Sequence, residues 1–263
     1  MIHLQKITRT RPLQGRTYPF TIGPLRQLET LTFPTPITIF IGENGTGKTT
    51  LLESLVQGSN MISLIPEDYG AFDHVADFAS HFRFTWSKKT RKGFYLKSQS
   101  FITYIRQLTT MKHEAKEGLD RIKRDMAGKS AYTQALASQP HANTLHALQG
   151  LYGEGLDKKS HGEGYLELFK SRLKPGGLYL LDEPELSLSP MRQLALIAMI
   201  KDMVRQDAQF ILITHSPILM AMDGATIYDF NTDQVSRTTY EDIEHVSLTR
   251  DFLNDPQSFL RHL

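Results

Sequence analysis

The residues Gly42-Glu43-Asn44-Gly45-Thr46-Gly47-Lys48-Thr49-Thr50 form a run that can hold a chain of phosphates. They fit G-x-x-x-x-G-K-[ST]. In that pattern glycines let successive backbone N–H groups turn inward around an anion. The lysine, here Lys48, reaches the β- and γ-phosphates, and the following hydroxyl, here Thr49, holds Mg²⁺. A second chemical element lies far along the chain, where Leu178-Tyr179-Leu180-Leu181 runs into Asp182-Glu183. An acid at the carboxyl end of a buried strand lies at the ligand edge of a parallel sheet. Asp182 is placed to hold Mg²⁺ through water, with Thr49 as the other protein ligand. Glu183 is placed to orient or deprotonate an attacking water. Each has a plainer reading, a glycine turn in one case and a solvated acidic turn before Pro184 in the other. Together they favour phosphate chemistry.

These groups need strands to deliver them and helices to receive them. The apolar run Ile37–Ile41 predicts a buried strand before the loop. Leu51, Leu52, Leu55 and Val56 give the following segment a helical apolar stripe. Residues 178–181 and 210–213 predict two more buried strands, the latter ending at Thr214-His215. Ser189-Pro190 and Ser216-Pro217 each place an N-cap residue before a proline at the first helical position. Further strands are expected at 226–230 and 235–239, then a terminal helix. Apolar strands alternating with helices give an α/β fold with a largely parallel sheet.

Upstream, residues 2–33 are broken by Pro12, Pro19 and Pro24 and read as short antiparallel strands. Phe82–Trp86 and Gly93–Lys97 read as a hairpin across the basic turn Lys88-Lys89-Thr90-Arg91-Lys92, a solvated turn or a nucleic-acid patch. A helix is expected over 100–127. Residues 128–160, rich in Gly, Ser, Gln and His, show weak periodicity and read as irregular.

Composition narrows the function classes. The chain has 263 residues, 40% of them hydrophobic, which fits one α/β domain with an elaborated lobe. Lys and Arg number 30 against 28 Asp and Glu, a net +2 that gives no overall signature of a nucleic-acid binder. Without cysteine there is no disulfide, thiolate metal site or thiol nucleophile. No apolar run approaches the ~18 residues of a membrane span, and the first residues carry no apolar leader, so the expected compartment is the cytoplasm. His113, His141 and His146 lack metal-ligand spacing and read as surface or packing residues.

The acidic strand lies 135 residues after Gly47, with a helical stretch between them. In this spacing the chain resembles the ABC-type ATPase head, shared by transporter ATPases and by the SMC, Rad50, RecF and RecN group. Over nearly its full length it is similar to small stand-alone bacterial ATPases of the AAA_21 type. The segments that carry this likeness are Tyr18-Pro19-Phe20, the loop 42–50, residues 93–101, 160–163, 178–192, 214–219 and the tail 249–256. The resemblance implies a P-loop NTPase of ABC-head type over 1–263, with N-terminal antiparallel strands and an insertion at about 100–165. It implies ATP and Mg²⁺ as ligands. Ser160-His161-Gly162-Glu163-Gly164 stands at the signature position, so Ser160, Gly162 and Glu163 are expected to face nucleotide. His215 stands at the switch-histidine position and joins Glu183 in the catalytic set. Gln99 stands at the Q-loop position, as a further catalytic residue and metal ligand. Residues 185–190 hold the D-loop position. Ser160-x-x-Glu163 also reads as a capping box, a reading compatible with the signature. His161 departs from transporter signatures, which usually have Gly there. Tyr18 reads either as a stacking residue for adenine or as a buried strand aromatic.

In that family two heads close on ATP, so one loop and one signature per chain imply an ATP-dependent homodimer. The alternatives are a nucleotide-switched interaction module, the ATP-binding subunit of a membrane transporter, and a DNA-repair or defence ATPase. The partner protein is left open, and nothing in the composition supports nucleic acid.

Overall fold

The computed structural model describes residues 1–13, 15–64, 72–152 and 161–261. The chain divides into two compact units, Met1–Ser98 with Leu173–Leu263, and Gln99–Arg172.

The first unit holds two sheets. Strands β1 (Leu4–Arg9), β2 (Thr30–Thr32) and β4 (Phe82–Trp86) form an antiparallel sheet in the order β2-β1-β4. The larger sheet has the order β5-β6-β7-β3-β8-β9, from β3 (Ile37–Ile41), β5 (Gly93–Lys97), β6 (Leu178–Asp182), β7 (Gln209–Ile213), β8 (Thr226–Asp229) and β9 (Ser236–Thr238). Its pairings are parallel except for β8 with β9. Every residue of β3, β6 and β7 is buried, the polar Thr38, Asp182 and Gln209 among mostly apolar neighbours, as expected in the middle of a covered sheet.

Around the sheets lie α1 (Gly23–Gln27), α2 (Lys48–Ser59), α3 (Asp73–Ser80), α7 (Pro190–Arg205), α8 (Pro217–Met220), α9 (Glu244–Asn254) and α10 (Pro256–Leu260). Leu51, Leu52, Leu55 and Val56 of α2 enter a core shared with Leu4, Ile7, Phe40, Phe78 and Tyr95. Burying side chains of this size stabilises by ~1.5–3 kcal/mol each before the cost of ordering them.

The second unit contains α5 (Ala131–Tyr152), α6 (His161–Arg172) and nearly all of α4 (Ser98–Asp125). Phe101 of α4 meets the edge of Tyr165, which stacks on Phe169 one helical turn further along α6.

Three expectations are corrected. Phe82–Trp86 and Gly93–Lys97 are not a hairpin pair, because β4 joins β1 while β5 pairs with β6. Local alternation cannot distinguish a neighbour in sequence from a partner reached over a longer connection. The segment before Phe33 contains a helix, α1, as well as strands; Pro24 sits in its first turn, where a missing N–H costs nothing. Much of 128–160 is the helix α5, with Pro140 inside it. Its alanines and leucines outweigh a weak amphipathic pattern that on the sequence alone read as irregular.

Candidate active site

Parallel register brings the site together. Lys97, Asp182 and Ile213 are partners at the carboxyl ends of β5, β6 and β7, and Phe40 of β3 pairs with Ile213. The chain leaves β3 into Gly42, β6 into Glu183 and β7 into Thr214-His215. These three exits therefore share one edge, the ligand edge of an open parallel sheet.

The loop between β3 and α2 turns on Gly42 (φ 139°) and Gly47 (φ 95°). Both are conformations that favour glycine. A Cβ on Gly47 would also lie 2.8 Å from Ile22 Cγ2, and one on Gly42 3.2 Å from Phe230 Cβ. Thr46 Oγ1 donates to the Glu43 carbonyl at 2.9 Å. Asn231, just after β8, accepts the Glu43 N–H at 2.7 Å. The loop is thus tied both to itself and to a neighbouring strand end. Lys48 is buried, and its Nζ donates to the Gly42 and Glu43 carbonyls at 2.6 and 2.7 Å. Burial lowers its pKa, opposed by Glu183, Asp182, Glu43 and Asp229.

Thr49 Oγ1 lies 3.5 Å from Asp182 Oδ1, a long separation for a hydrogen bond and a workable one for two oxygens facing one small cation. Tyr95 donates to Asp182 Oδ2 at 3.3 Å. Burial raises the Asp182 pKa to about 6, against the pull of Lys97 and the Thr49 hydrogen bond and with the push of Glu183 and Glu53. Lys97 in turn pairs with Glu53 at 3.5 Å. A carboxylate held this way, short of positive charge, suits a divalent cation. Among the described residues no cluster of three or more His, Cys, Asp or Glu could cage a metal alone. One carboxylate and one hydroxyl fit Mg²⁺, which takes most of its oxygens from water and phosphates.

Glu183 sits in the left-handed region (φ 51°, ψ 54°), with its N–H on the Ile213 carbonyl at 3.0 Å. A glutamate held there costs of order 1–3 kcal/mol, and such outliers gather at functional sites. The conformation turns the chain sharply into the short 3₁₀ helix Pro184–Ser187. His215 Nε2 lies 3.6 Å from Glu183 Oε1, and among the described residues this buried nitrogen has no hydrogen-bond partner. Burial and then Lys48 lower the His215 pKa, against Glu183. The His215 N–H donates to Glu185 Oε1 at 2.6 Å. Burial raises the Glu185 pKa against that bond. Ser216 Oγ caps α8, accepting from the Ile218 and Leu219 N–H groups, and donates to Gln193 Oε1 at 2.5 Å. The segments after Glu183 and after β7 are therefore bonded to each other twice. Ser189 has the dihedrals of a cap but makes no side-chain cap bond; Pro190 alone starts α7.

The structure thus gathers Gly42, Glu43, Lys48, Thr49, Asp182, Glu183 and His215 at one edge. Asn44, Gly45 and Thr46 belong to the same loop, and Thr50 is buried in α2, where it bonds Tyr18 Oη at 2.8 Å. Tyr18 itself is 53% exposed, which removes its buried-strand reading. Gln99 is the second residue of α4, directly after β5 in the chain and in the other unit. Ser160 lies outside the described residues; Gly162 and an exposed Glu163 are in the first turn of α6. Sequence reasoning missed Tyr95, Lys97, Glu53, Asn231 and Gln193. Only Lys97 carried a local signal, as the last residue of a strand.

Two segments match family models: residues 20–59 match AAA_23, "AAA domain", and residues 164–221 match AAA_21, "AAA domain, putative AbiEii toxin, Type IV TA system". Among solved structures, the chain is similar to the Smc head domain of Pyrococcus furiosus with an extended coiled coil, bound to the C-terminal domain of ScpA. The TM-score is 0.50 at 11% identity, over 96% of this chain and 100% of that one. An ATP-binding cassette from an ABC transporter in its ADP conformation scores 0.48 at 16% identity, over 98% and 96%. The SMC head domain from Thermotoga maritima scores 0.43 at 12%, over 90% and 99%. No curated protein matches. The fold is that of the Smc head domain, an α/β architecture with a mostly parallel sheet. No helix among the described residues is long and apolar enough to cross a membrane.

Proposed function

We propose that this chain, with two AAA-domain segments on the fold of the ABC-type ATPase heads, binds ATP with Mg²⁺, hydrolyses it, and pairs with a second copy when ATP is bound. The observation that carries this reading is the approach of Thr49 and Asp182 to 3.5 Å beside a glycine loop whose Lys48 is fixed by its own carbonyls. Thr49 and Asp182 would hold Mg²⁺, which neutralises phosphate charge when bound. Lys48, held beside the loop by two carbonyl bonds that phosphate oxygens can replace, would bind the β- and γ-phosphates. Glu183 would accept the proton of the attacking water, and His215, with a nitrogen free to donate or accept, would sense the γ-phosphate from the neighbouring strand end. Gln99 completes the set on the strength of the resemblance.

A homodimer is favoured by apolar exposure beside this edge. Leu186 is 60% exposed, and Met191 and Leu194, one turn apart on α7, are 75% and 51% exposed. In the closed dimer Ser160, Gly162 and Glu163 of one copy would meet the nucleotide of the other. The Gln193–Ser216 bond also suits a switch, since movement of α7 on dimer closure would be felt at the segment carrying His215. Turnover and switching are then two outputs of one site. The test is hydrolysis of Mg-ATP by the purified chain beside Lys48→Ala and Glu183→Gln. Loss of binding in the first and of turnover alone in the second is expected. Equal turnover in all three would overturn the reading.

A further inference from the structure

The basic turn between β4 and β5 takes no part in the phosphate site, and the structure gives it a cavity. About 530 Å³ opens between the end of α2, the end of β4 and this turn, lined among others by Asn60, Met61, Trp86, Lys89, Arg91 and Lys92. It lies at the amino ends of β5 and β6, where Gly93 pairs with Leu178, whereas the phosphate loop lies at the carboxyl edge. The 12 residues of α2 separate the two by about 18 Å at 1.5 Å per residue.

The charged residues that line the cavity are of one sign. No Asp or Glu lines it. Residues 78–98 hold six Lys and Arg and no acid. Among the described residues no ion pair neutralises Lys89 or Arg91. The backbone beneath them is fixed. The His3 ring bridges the Lys88 and Asp207 carbonyls at 3.1 and 2.9 Å, and Thr90 Oγ1 donates to the Gly176 carbonyl at 2.9 Å. Lys92 Nζ is engaged by the Pro175 carbonyl at 3.1 Å, which leaves Lys89 and Arg91 as exposed cations on a rigid base. Trp86, half-buried, supplies a flat wall, and Met61 adds apolar surface. Lys89 Nζ stands 5.9 Å from the Trp86 ring centre, at the outer reach of a cation–π contact and easily displaced.

An aromatic face beside uncompensated cations is the pairing that takes a base together with its phosphate. The cavity volume also suits a ligand of that size. We propose that this is a second binding site, for a nucleotide unit with its base against Trp86 and its phosphate between Lys89 and Arg91. A free nucleotide and single-stranded nucleic acid share that chemistry. The near-zero net charge of the whole chain does not bear on a patch of this size. The inference is independent of the ATPase reading, since it uses none of its residues.

Trp86 is the chain's single tryptophan, so its emission reports on this cavity alone. The full chain is titrated, without Mg²⁺, with thymidine monophosphate and with an oligothymidylate of about ten nucleotides, a length within known single-strand site sizes. Saturable quenching by at least one probe is expected, and Lys89→Glu with Arg91→Glu should weaken it about tenfold or more. Both positions are exposed, and an unchanged melting temperature and unchanged Mg-ATP binding show that the variant is folded. Tighter binding of the oligomer, falling with salt, identifies a strand as the ligand. Equal binding, or binding of the monophosphate alone, identifies a free nucleotide. Absence of saturable quenching by either probe, or equal affinity in the charge-reversed variant, overturns the proposal.

Discussion

His215 Nε2 and Glu183 Oε1 face each other across 3.6 Å, at the ends of two adjacent parallel strands. The gap is too long for a good hydrogen bond and leaves both groups with unused capacity. A water can engage both, donating to the carboxylate and bonding the ring nitrogen. The strained backbone of Glu183 holds the carboxylate there, and the Glu185 bond to the His215 N–H holds the other side.

Glu183→Gln keeps the shape of this pair and removes the proposed base. Turnover of Mg-ATP should fall by about 10²–10⁴, the usual contribution of a positioned general base, while ATP still binds. Steady-state kinetics beside calorimetry separates the two effects. Unimpaired kcat would move the role of base away from Glu183, with His215 next to be tested.

Lys48→Ala removes the cation that the loop holds in place. Hydrogen bonds to charged groups contribute about 1.5–3 kcal/mol, so ATP affinity should drop about 10- to 100-fold. Calorimetry on the folded variant measures it directly. An unchanged Kd would mean that the loop does not hold the phosphates.

Asp182 should make metal-free stability depend on pH. Its pKa rises from 3.8 unfolded to about 6 folded, chiefly through burial. Between these values the folded chain keeps a proton that the unfolded chain has lost, so stability falls as pH rises through the window. Asp182→Asn removes the charge. In chelator, above about pH 6, the variant should be more stable by up to about 3 kcal/mol, each tenfold in proton affinity being about 1.4 kcal/mol. Below about pH 4 the difference should vanish. Urea denaturation across this range checks both limits, and a variant no more stable at neutral pH would show that burial of Asp182 carries no such cost.

The strands, the loop and the acidic strand end were legible because each is a local pattern: a continuous apolar run, spaced glycines, an acid after four apolar residues. What the sequence could not show was which strand lies beside which. Placing β7 between β6 and β3 brings His215 to Glu183, and placing β5 outside β6 brings Lys97 and Tyr95 to Asp182. These are long-range pairings with no counterpart in local periodicity. The false hairpin of β4 and β5 arose for the same reason. Asn231 was silent too, since an Asn after a strand is ordinary turn chemistry until its Oδ1 is seen to accept from the loop.

Asn231→Ala should weaken the loop without touching chemistry. It frees the Glu43 N–H from its 2.7 Å partner and removes the side chain that lies 3.3 Å from a Cβ position on Gly42. A lost neutral hydrogen bond of about 1 kcal/mol predicts a roughly fivefold rise in KM for ATP with little change in kcat. A fall in kcat at unchanged KM would instead place Asn231 in the transition state.

Assembly is tested most sharply where hydrolysis is blocked. Glu183→Gln with saturating Mg-ATP should accumulate a dimer, visible as a doubled mass in light scattering or sedimentation. Met191→Glu with Leu194→Glu, added to that parent, puts charge on the exposed apolar turn of α7, and the dimer should be lost while ATP binding persists. Neither side chain contributes to the core around β3, so the fold should survive. Ser160→Arg probes the other half of the shared site, as the resemblance assigns it. It should also prevent dimerisation, because a bulky cation would replace the small hydroxyl offered to the partner's γ-phosphate. The three results are separable. A parent that stays monomeric at saturating ATP removes the homodimer. A parent that dimerises while Ser160→Arg dimerises equally well leaves Ser160-x-x-Glu163 as a capping box alone. Loss of the dimer in the α7 variant but not in Ser160→Arg would mean that two copies meet through α7 without completing each other's site, and hydrolysis would then need a different activator.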